Sequence, residues 1–374
     1  MQYTPTTLTE FVGQPNVRRM LRVTVEASIR RNRPSPHVLI LGPSGLGKST
    51  LAQIIASMQG GKFIECLAGK LSDGKDWKEL FRQVEGHGYR ADLDAEQARK
   101  IAIERGVEAL VANGSKLSKS VVFLDEIHRL SQKQQEQLYT LMTKNILYYT
   151  ERNPLTKAME TKWTPVPLFT LVGATTEEGK LETPFFNRFP LHFKLEPYTV
   201  EELEKIVANA VAKANYFATP EAIAAIAFRS RGVARVALNF VTTCSNYALL
   251  KNSRQITIEE SITDIVFSDA HLCIDNMGLT LDDLRYLYAL FLAEHPLGLN
   301  TLVSILNADP RNVTQIIEPH LIRQGLIQIT PSGRLIKRGG VEHLRKHPFL
   351  QKLAVGSDLL RDAINKDAVF EEVR

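Results

Sequence analysis

A glycine-rich octapeptide, Gly42-Pro43-Ser44-Gly45-Leu46-Gly47-Lys48-Ser49, lies directly between the apolar run Val38-Leu39-Ile40-Leu41 and a helical pattern that continues from Thr50 to Ala56. Strand, loop and helix in that order, with the spacing G-x-x-x-x-G-K-S, are the parts of a phosphate-binding loop; a mere glycine-rich turn would rarely fall between a buried strand and a helix start. Gly42, Gly45 and Gly47 permit backbone angles that a side chain forbids, so successive N–H groups can point inward at phosphate oxygens. The helix that begins near Lys48 adds its positive dipole end. Lys48 suits the β- and γ-phosphates as a compact charge, and the Ser49 hydroxyl suits a magnesium ion. The loop predicts that the chain binds a nucleoside triphosphate.

The first half of the chain alternates between strand and helix patterns. A helix is expected from Pro15 to Arg31, strands at 38–41, Phe63–Cys66, Val121–Leu124 and Phe169–Gly173, and helices at 48–58 and 132–144. Such alternation predicts an α/β fold with a parallel sheet covered by helices on both faces. Between Leu71 and Ser120 runs a long polar segment with helical potential at Trp77 to Glu85 and Asp94 to Asn113, read as an ordered insertion. After Phe193 helical periodicity takes over as far as Tyr247. Thr199 with Glu202 forms a capping-box pattern, and Thr219-Pro220 an N-cap followed by a first-turn proline. From Asn276 the pattern starts again, with helices near 280–293, 299–307 and 311–324, then strand, turn and strand over Leu326–Lys337, which suggests a winged helix. The expected division is a large α/β domain over 1–193, a small helical domain over 194–275, a winged helix over 276–339 and a tail over 340–374.

Composition limits the class. A chain of 374 residues, 44% hydrophobic and 23% charged, can bury ample core and is neither fibrous nor largely disordered. Cys66, Cys244 and Cys273 stand far apart, which supports neither a disulfide framework nor a zinc site and fits a reduced cytosol. The N-terminus lacks an apolar leader core and no apolar run reaches the roughly 18 residues of a membrane span, so a cytoplasmic protein without a membrane association is expected. The net charge of +5 permits a polyanionic partner. Positive charge concentrates between Arg334 and His347. A solvated helix face would explain the cluster equally well; as the basic residues of a wing, Arg334, Lys337 and Arg338 are the best candidate DNA contacts, suited to phosphates rather than base edges.

Asp125 and Glu126 follow the apolar run at 121–124 and complete the second half of an ATPase site. The Asp125 carboxylate suits the magnesium shell, and Glu126 suits the attacking water of an in-line phosphoryl transfer. At this point the motifs become specific. Asp125-Glu-Ile-His-Arg-Leu130, Gly173-Ala-Thr-Thr176 and the phosphate loop resemble the AAA+ ATPases, and within them the RuvB family of Holliday-junction branch-migration motors. The resemblance continues in Leu8-Thr-Glu-Phe-Val-Gly-Gln14, Arg229-Ser-Arg-Gly-Val-Ala-Arg235, Pro296-Leu-Gly-Leu-Asn-Thr-Leu302 and Glu318-Pro-His-Leu-Ile-Arg-Gln-Gly325. It covers most of residues 5–338.

The resemblance implies ATP with Mg2+ as the ligands, and it implies roles by position. Thr176 matches the sensor-1 residue that reads the γ-phosphate. Arg188 matches the arginine finger that each subunit inserts into its neighbour's site. Arg235 matches sensor 2, and Phe11, Val12 and Tyr198 match positions that pack around adenine. Outside the family these would read as a strand-end threonine, two surface arginines and ordinary core residues. The family further implies a homo-oligomeric ring, a hexamer, on duplex or four-way-junction DNA. The segment 146–167 falls where the family carries a β-hairpin that engages its partner RuvA, with a turn at Asn153-Pro154. His128 and Arg129 belong to the motif without a role that sequence supplies.

Several positions depart from the family pattern: Tyr3-Thr-Pro5 for Arg-Pro, Ser44 for a second proline, Val233-Ala234 for Thr-Pro, a longer stretch between Lys48 and Asp125, and the added tail. They fit a divergent member, such as a copy carried on a phage or mobile element. The leading expectation is an ATP-driven translocase for branch migration in DNA recombination and repair. The alternatives are a clamp or helicase loader, and an ATP-dependent protein-binding switch.

Overall fold

The computed structural model describes residues 3–72, 74–84, 100, 101, 104, 119–152, 158–251, 255–268, 272–293 and 295–347. Most of the helix expected over 94–113, the turn at Asn153-Pro154 and the tail beyond 347 lie outside the described residues. The chain divides into two compact units, Met1–Tyr216 with Gly232–Thr242, and Phe217–Arg231 with Thr243–Arg374. The segment read as the small helical domain is thus split between them.

The first unit is built on a five-stranded sheet. Its strands are β1 (Val38–Leu41), β2 (Phe63–Leu67), β3 (Val121–Asp125), β6 (Thr170–Thr175) and β7 (Leu191–Lys194), in the order β2-β3-β6-β1-β7. Every neighbouring pair is parallel. All residues of β1 and β6 are buried, as parallel strands covered on both faces must be. Leu39, Leu124, Leu138 and Leu171 meet in the core beside the helix Gln132–Lys144. That helix starts where Ser131 and Gln134 form a reciprocal capping box. Strand β6 extends two residues past the expected Gly173, and β7 adds an edge strand that the sequence reading did not separate.

Strands β4 (Ile146–Arg152) and β5 (Met159–Pro165) pair antiparallel from Ile146 opposite Pro165 to Arg152 opposite Met159. They form a hairpin of their own outside the five-stranded sheet. The helix Gly74–Arg82 lies against it: a Cβ on Gly74 would come within 3.1 Å of the Thr150 backbone nitrogen, and the Lys78 ammonium sits 4.8 Å above the Tyr149 ring. Trp77 is fully buried on the same helix and stacks on Phe81, whose ring meets the edge of Phe169 at 5.2 Å. The beginning of the long polar segment is therefore fastened by aromatic burial.

In the second unit two short parallel strands, β8 (Phe217–Ala218) and β9 (Thr257–Ile258), accompany the helices Pro220–Arg229 and Glu260–Ser268. The winged-helix part contains Leu281–Leu292, Leu299–Leu306 and a broken third helix, followed by the hairpin β10 (Ile327–Thr330) and β11 (Gly333–Ile336). The third helix, expected to be continuous, passes through a π-type turn at Val313–Ile317 before Glu318–Arg323. Pro319 lacks the N–H that a regular α-ladder would need there, and widening the preceding turn accommodates the gap. A last helix, Arg338–Lys346, occupies what was read as the end of the wing and the start of the tail. Leu284, Leu287, Leu302, Leu321 and Leu344 form this part's core. Arg231 pairs with the fully buried Asp283 and donates to the Gly278 carbonyl at 3.0 Å. Among the described residues no helix is long and apolar enough to cross a membrane.

Candidate nucleotide-binding site

Strand order places the chemistry. Strand β6 lies between β1 and β3, so the phosphate loop after β1, Asp125 at the end of β3 and Thr176 after β6 all emerge at the carboxyl edge of the sheet. Ligands of parallel α/β sheets bind at that edge. A cavity of about 520 Å³ opens there. Ser44, Gly45, Gly47, Lys48, Ser49 and Thr50 line it from the loop and the helix Lys48–Gln59. Asp125, Glu126 and Thr176 line it from the sheet, and Phe11, Val12, Tyr198 and Arg235 from the remaining sides. Gly42, Pro43 and Leu46 complete the loop without facing the cavity.

The loop geometry explains its residue types. Gly45 and Gly47 have φ of 83° and 97°, in the left-handed region. A Cβ on Gly45 would come within 2.7 Å of Val233, and one on Gly47 within 3.0 Å of the Phe11 ring. Lys48 Nζ donates to the Gly42 and Pro43 carbonyls at 2.7 and 2.8 Å, so the ammonium is folded back onto its own loop. Burial pushes its pKa down to about 8, against the opposing pull of the Asp125 and Glu126 carboxylates. The Tyr198 hydroxyl donates to the Leu46 carbonyl at 2.9 Å, and burial raises its pKa. The Arg235 guanidinium donates to Ser44 Oγ at 2.9 Å.

The end of β3 carries a second network. Asp125 Oδ1 accepts from the Glu126 N–H at 2.9 Å, and Glu126 adopts φ of 52° as the chain turns into Ile127–Arg129. Arg129 Nε lies 2.5 Å from Glu126 Oε2. His128 links two strand ends: its Nδ1 is 2.9 Å from Thr175 Oγ1 and its Nε2 is 3.3 Å from Glu177 Oε1. Burial lowers the His128 pKa, so the neutral ring is favoured. Both motif residues thus hold groups at this edge in place, Arg129 by a local pair and His128 by contacts that exist only when β3 and β6 are neighbours.

Other expected residues lie elsewhere. Arg188 does not line the cavity; its Nη2 donates to Thr143 Oγ1 at 2.5 Å and its guanidinium sits 4.9 Å above the Tyr139 ring. Of the three wing cations, Arg334 is turned inward. Its Nε donates to Glu318 Oε1 at 2.9 Å, the Tyr286 hydroxyl donates to the same carboxylate, and Glu318 is buried. A phosphate contact needs a displayed guanidinium, so this geometry withdraws Arg334 as a DNA contact. Arg338 belongs to the first turn of the last helix, where it pairs with Glu342 at 2.8 Å. Lys337, at that helix's N-cap, is exposed. Tyr3, Glu10, Gln53, Ile206, Leu238 and Asn239 also line the cavity, and sequence reasoning did not select them. Only tertiary packing brings them there.

Comparison with known proteins agrees with this arrangement. The model described as "Holliday junction DNA helicase RuvB P-loop domain" matches residues 3–88 and 90–195. "RuvB AAA lid domain" matches 198–267, and "RuvB C-terminal winged helix domain" matches 276–345. The chain is similar to the Holliday junction branch migration complex subunit RuvB of Paracoccus denitrificans, 34% identical over 345 residues that cover 91% of this chain and 89% of that protein. The corresponding subunit of Ehrlichia ruminantium is 32% identical and matches over 92% of this chain and 93% of its own length. Among solved structures, the RuvB branch migration motor of Thermotoga maritima superposes with a TM-score of 0.69 at 29% identity, covering 92% of this chain and 98% of that one. The chain belongs to the RuvB family of AAA+ ATPases.

Proposed function

We propose that the chain is an ATP-driven DNA translocase that moves four-way junctions as a cytoplasmic ring, a hexamer, in recombination and repair. The observation that carries this reading is the convergence of Lys48, Ser49, Asp125, Glu126, Thr176 and Arg235 on one cavity, in a chain that also has a winged helix. The donor set fits a magnesium nucleotide. Backbone N–H groups and a lysine face the anion, while a hydroxyl and a carboxylate offer the oxygen ligands that Mg2+ prefers. Ser49 and Asp125 are the residues that would hold the ion, which supplies charge neutralisation between the phosphates.

The chain's own residues do the rest. Lys48 exchanges its carbonyl partners for phosphate oxygens. Glu126, released from Arg129, orients the attacking water, and Thr176 reads the γ-phosphate. Phe11, Val12 and Tyr198 receive the base. Arg188 stands outside the cavity of its own chain, as a finger acting on a neighbouring subunit requires; such a finger contributes roughly 10³ to 10⁵ in rate. Arg235 couples the following helix to the nucleotide. Domains at 1–193, 194–275 and 276–339 then serve as motor, lid and DNA grip, with Lys337 the leading phosphate contact. The β4–β5 hairpin is the docking element for a RuvA-like protein.

Strand exchange on synthetic four-way junctions tests the reading. ATP-dependent resolution of junctions into duplexes, alone or with a RuvA-like protein, is expected. ATP hydrolysis with no junction movement under either condition would overturn the translocase in favour of a loader.

A further inference from the structure

Away from the nucleotide cavity, three ligand-type side chains of the second unit converge on one point. Asp275 precedes the turn into the winged helix, and its Oδ1 accepts from the backbone N–H groups of Met277 and Leu279, both at 2.8 Å. These bonds aim Oδ2 at the last helix. There His343 Nε2 lies 2.7 Å from Oδ2 and His347 Nε2 lies 3.7 Å from the same oxygen. The three donor atoms are all within 4.8 Å of one another. We propose that Asp275, His343 and His347 form a binding site for a zinc-type divalent transition metal.

The chemistry selects the ion. Two imidazole nitrogens and one carboxylate oxygen suit Zn2+, Co2+ or Ni2+, whereas Mg2+ and Ca2+ require oxygen ligands. His343 in the last turn of the helix and His347 at its C-cap are four residues apart, a spacing that brings two imidazoles to one side of the helix end. Donors held about 2.1 Å from a tetrahedral ion lie roughly 3.4 Å apart, so closing the present separations takes side-chain adjustment rather than refolding. The side chains of His343, Asp275 and His347 are 16%, 9% and 18% exposed, shielded from bulk water yet reachable by an ion. The two backbone N–H groups on Asp275 Oδ1 provide outer-shell support of the kind that fixes metal-binding carboxylates. Three protein ligands leave a position for water.

A plain ion pair between Asp275 and His343 would hold the helix without His347. The third donor separates the two readings. A bound ion would staple the helix Arg338–Lys346 to residues 275–279 and stiffen the winged-helix part.

The test uses the full chain, stripped with chelator, free of nucleotide and titrated with Co2+. One ion per chain, with the visible absorption of tetrahedral nitrogen-and-oxygen coordination, is expected at micromolar metal. Zn2+ should displace it and raise the melting temperature. His343→Ala also removes the hydrogen bond to Asp275, so His347→Ala is the informative variant. Judged against its own metal-free melt, it should lose the Zn2+-dependent rise, and it should bind Co2+ at least 10-fold more weakly. The chain has nine histidines, and this comparison identifies which of them ligate. An unchanged Co2+ spectrum and affinity in His347→Ala, or no stoichiometric uptake by the parent, overturns the site.

Discussion

Arg235 is tied to Ser44 by its guanidinium, which donates to the Ser44 hydroxyl at 2.9 Å, while its backbone N–H donates to the neighbouring Gly45 carbonyl at 3.2 Å. A proline, the residue that the family resemblance leads one to expect here, has no hydroxyl to offer. Arg235 must therefore leave a side-chain partner here before it can reach a phosphate.

Removing that partner should favour nucleotide. Ser44→Ala is expected to tighten binding of an ATP analogue about 2- to 5-fold, the worth of an exposed hydrogen bond of roughly 0.5–1 kcal/mol. Titration of a fluorescent analogue measures it. Equal or weaker binding by the variant means that the bond does not restrain Arg235.

Lys48 should take up a proton when nucleotide arrives. Its pKa of about 8 leaves it largely neutral at pH 8.5, and the triphosphate restores the charged form. Calorimetry in two buffers of different ionisation enthalpy is expected to show about 0.7 proton absorbed per nucleotide at pH 8.5 and little at pH 7. No buffer dependence at the higher pH would contradict the depressed value.

The proposed sharing of active sites between subunits predicts complementation. Lys48→Ala and Arg188→Ala chains should each be inactive alone, the first through its own cavity and the second through its neighbour's. Mixed, they form some interfaces that contain both an intact Lys48 and an intact Arg188, and partial ATPase activity should return. Persistent inactivity in co-assembled mixtures counts against a finger acting in trans.

The basic residues near the wing should separate into two kinds. Arg334→Gln strands the buried Glu318 carboxylate and is expected to destabilise the second unit by about 3 kcal/mol, read as a lowered melting temperature. Lys337→Ala should leave melting unchanged and reduce the salt dependence of DNA binding by about one phosphate contact. If Arg334→Gln melts normally and weakens DNA binding instead, the inward geometry does not hold on DNA.

Two histidines predict an acid-side loss of stability. Burial pushes both His37 and His320 down to about 4; the Leu171 N–H donates to His37 Nδ1 at 2.9 Å, which requires an unprotonated nitrogen. A histidine whose folded pKa lies below the unfolded 6.5 binds protons preferentially when unfolded. Stability is then complete well above the unfolded value of about 6.5 and declines as pH falls towards 4, the loss reaching roughly 2 kcal/mol for each by about pH 5. Melting curves at pH 7 and 5 should show the decline, and His320→Asn should flatten it in the second unit. A profile that is flat over that interval removes the assignment.

Legibility in the sequence followed range. The octapeptide, β1 and β3 were readable because an apolar run beside glycines or acids is a local signal. The caps at Thr199 and Thr219 were readable for the same reason. Thr176, Arg188 and Arg235 had no local signal and depended on family resemblance. Strands β8 and β9 are two residues each, too short to show alternation. The inward turn of Arg334 was hidden because its partner Glu318 stands on another element, and charge alone suggested display. His128 gained its partners Thr175 and Glu177 only once β3 and β6 lay side by side, whereas Arg129 pairs locally with Glu126.

The β4–β5 hairpin leaves the chain between β3 and β6 but lends no strand to the sheet that holds the nucleotide site. Its outer end can therefore lengthen, shorten or change composition without disturbing the register of Asp125 and Thr176. With the hairpin in its proposed role as docking element, a motor arranged in this way can acquire a new adaptor as an interchangeable cassette, while its engine is inherited intact.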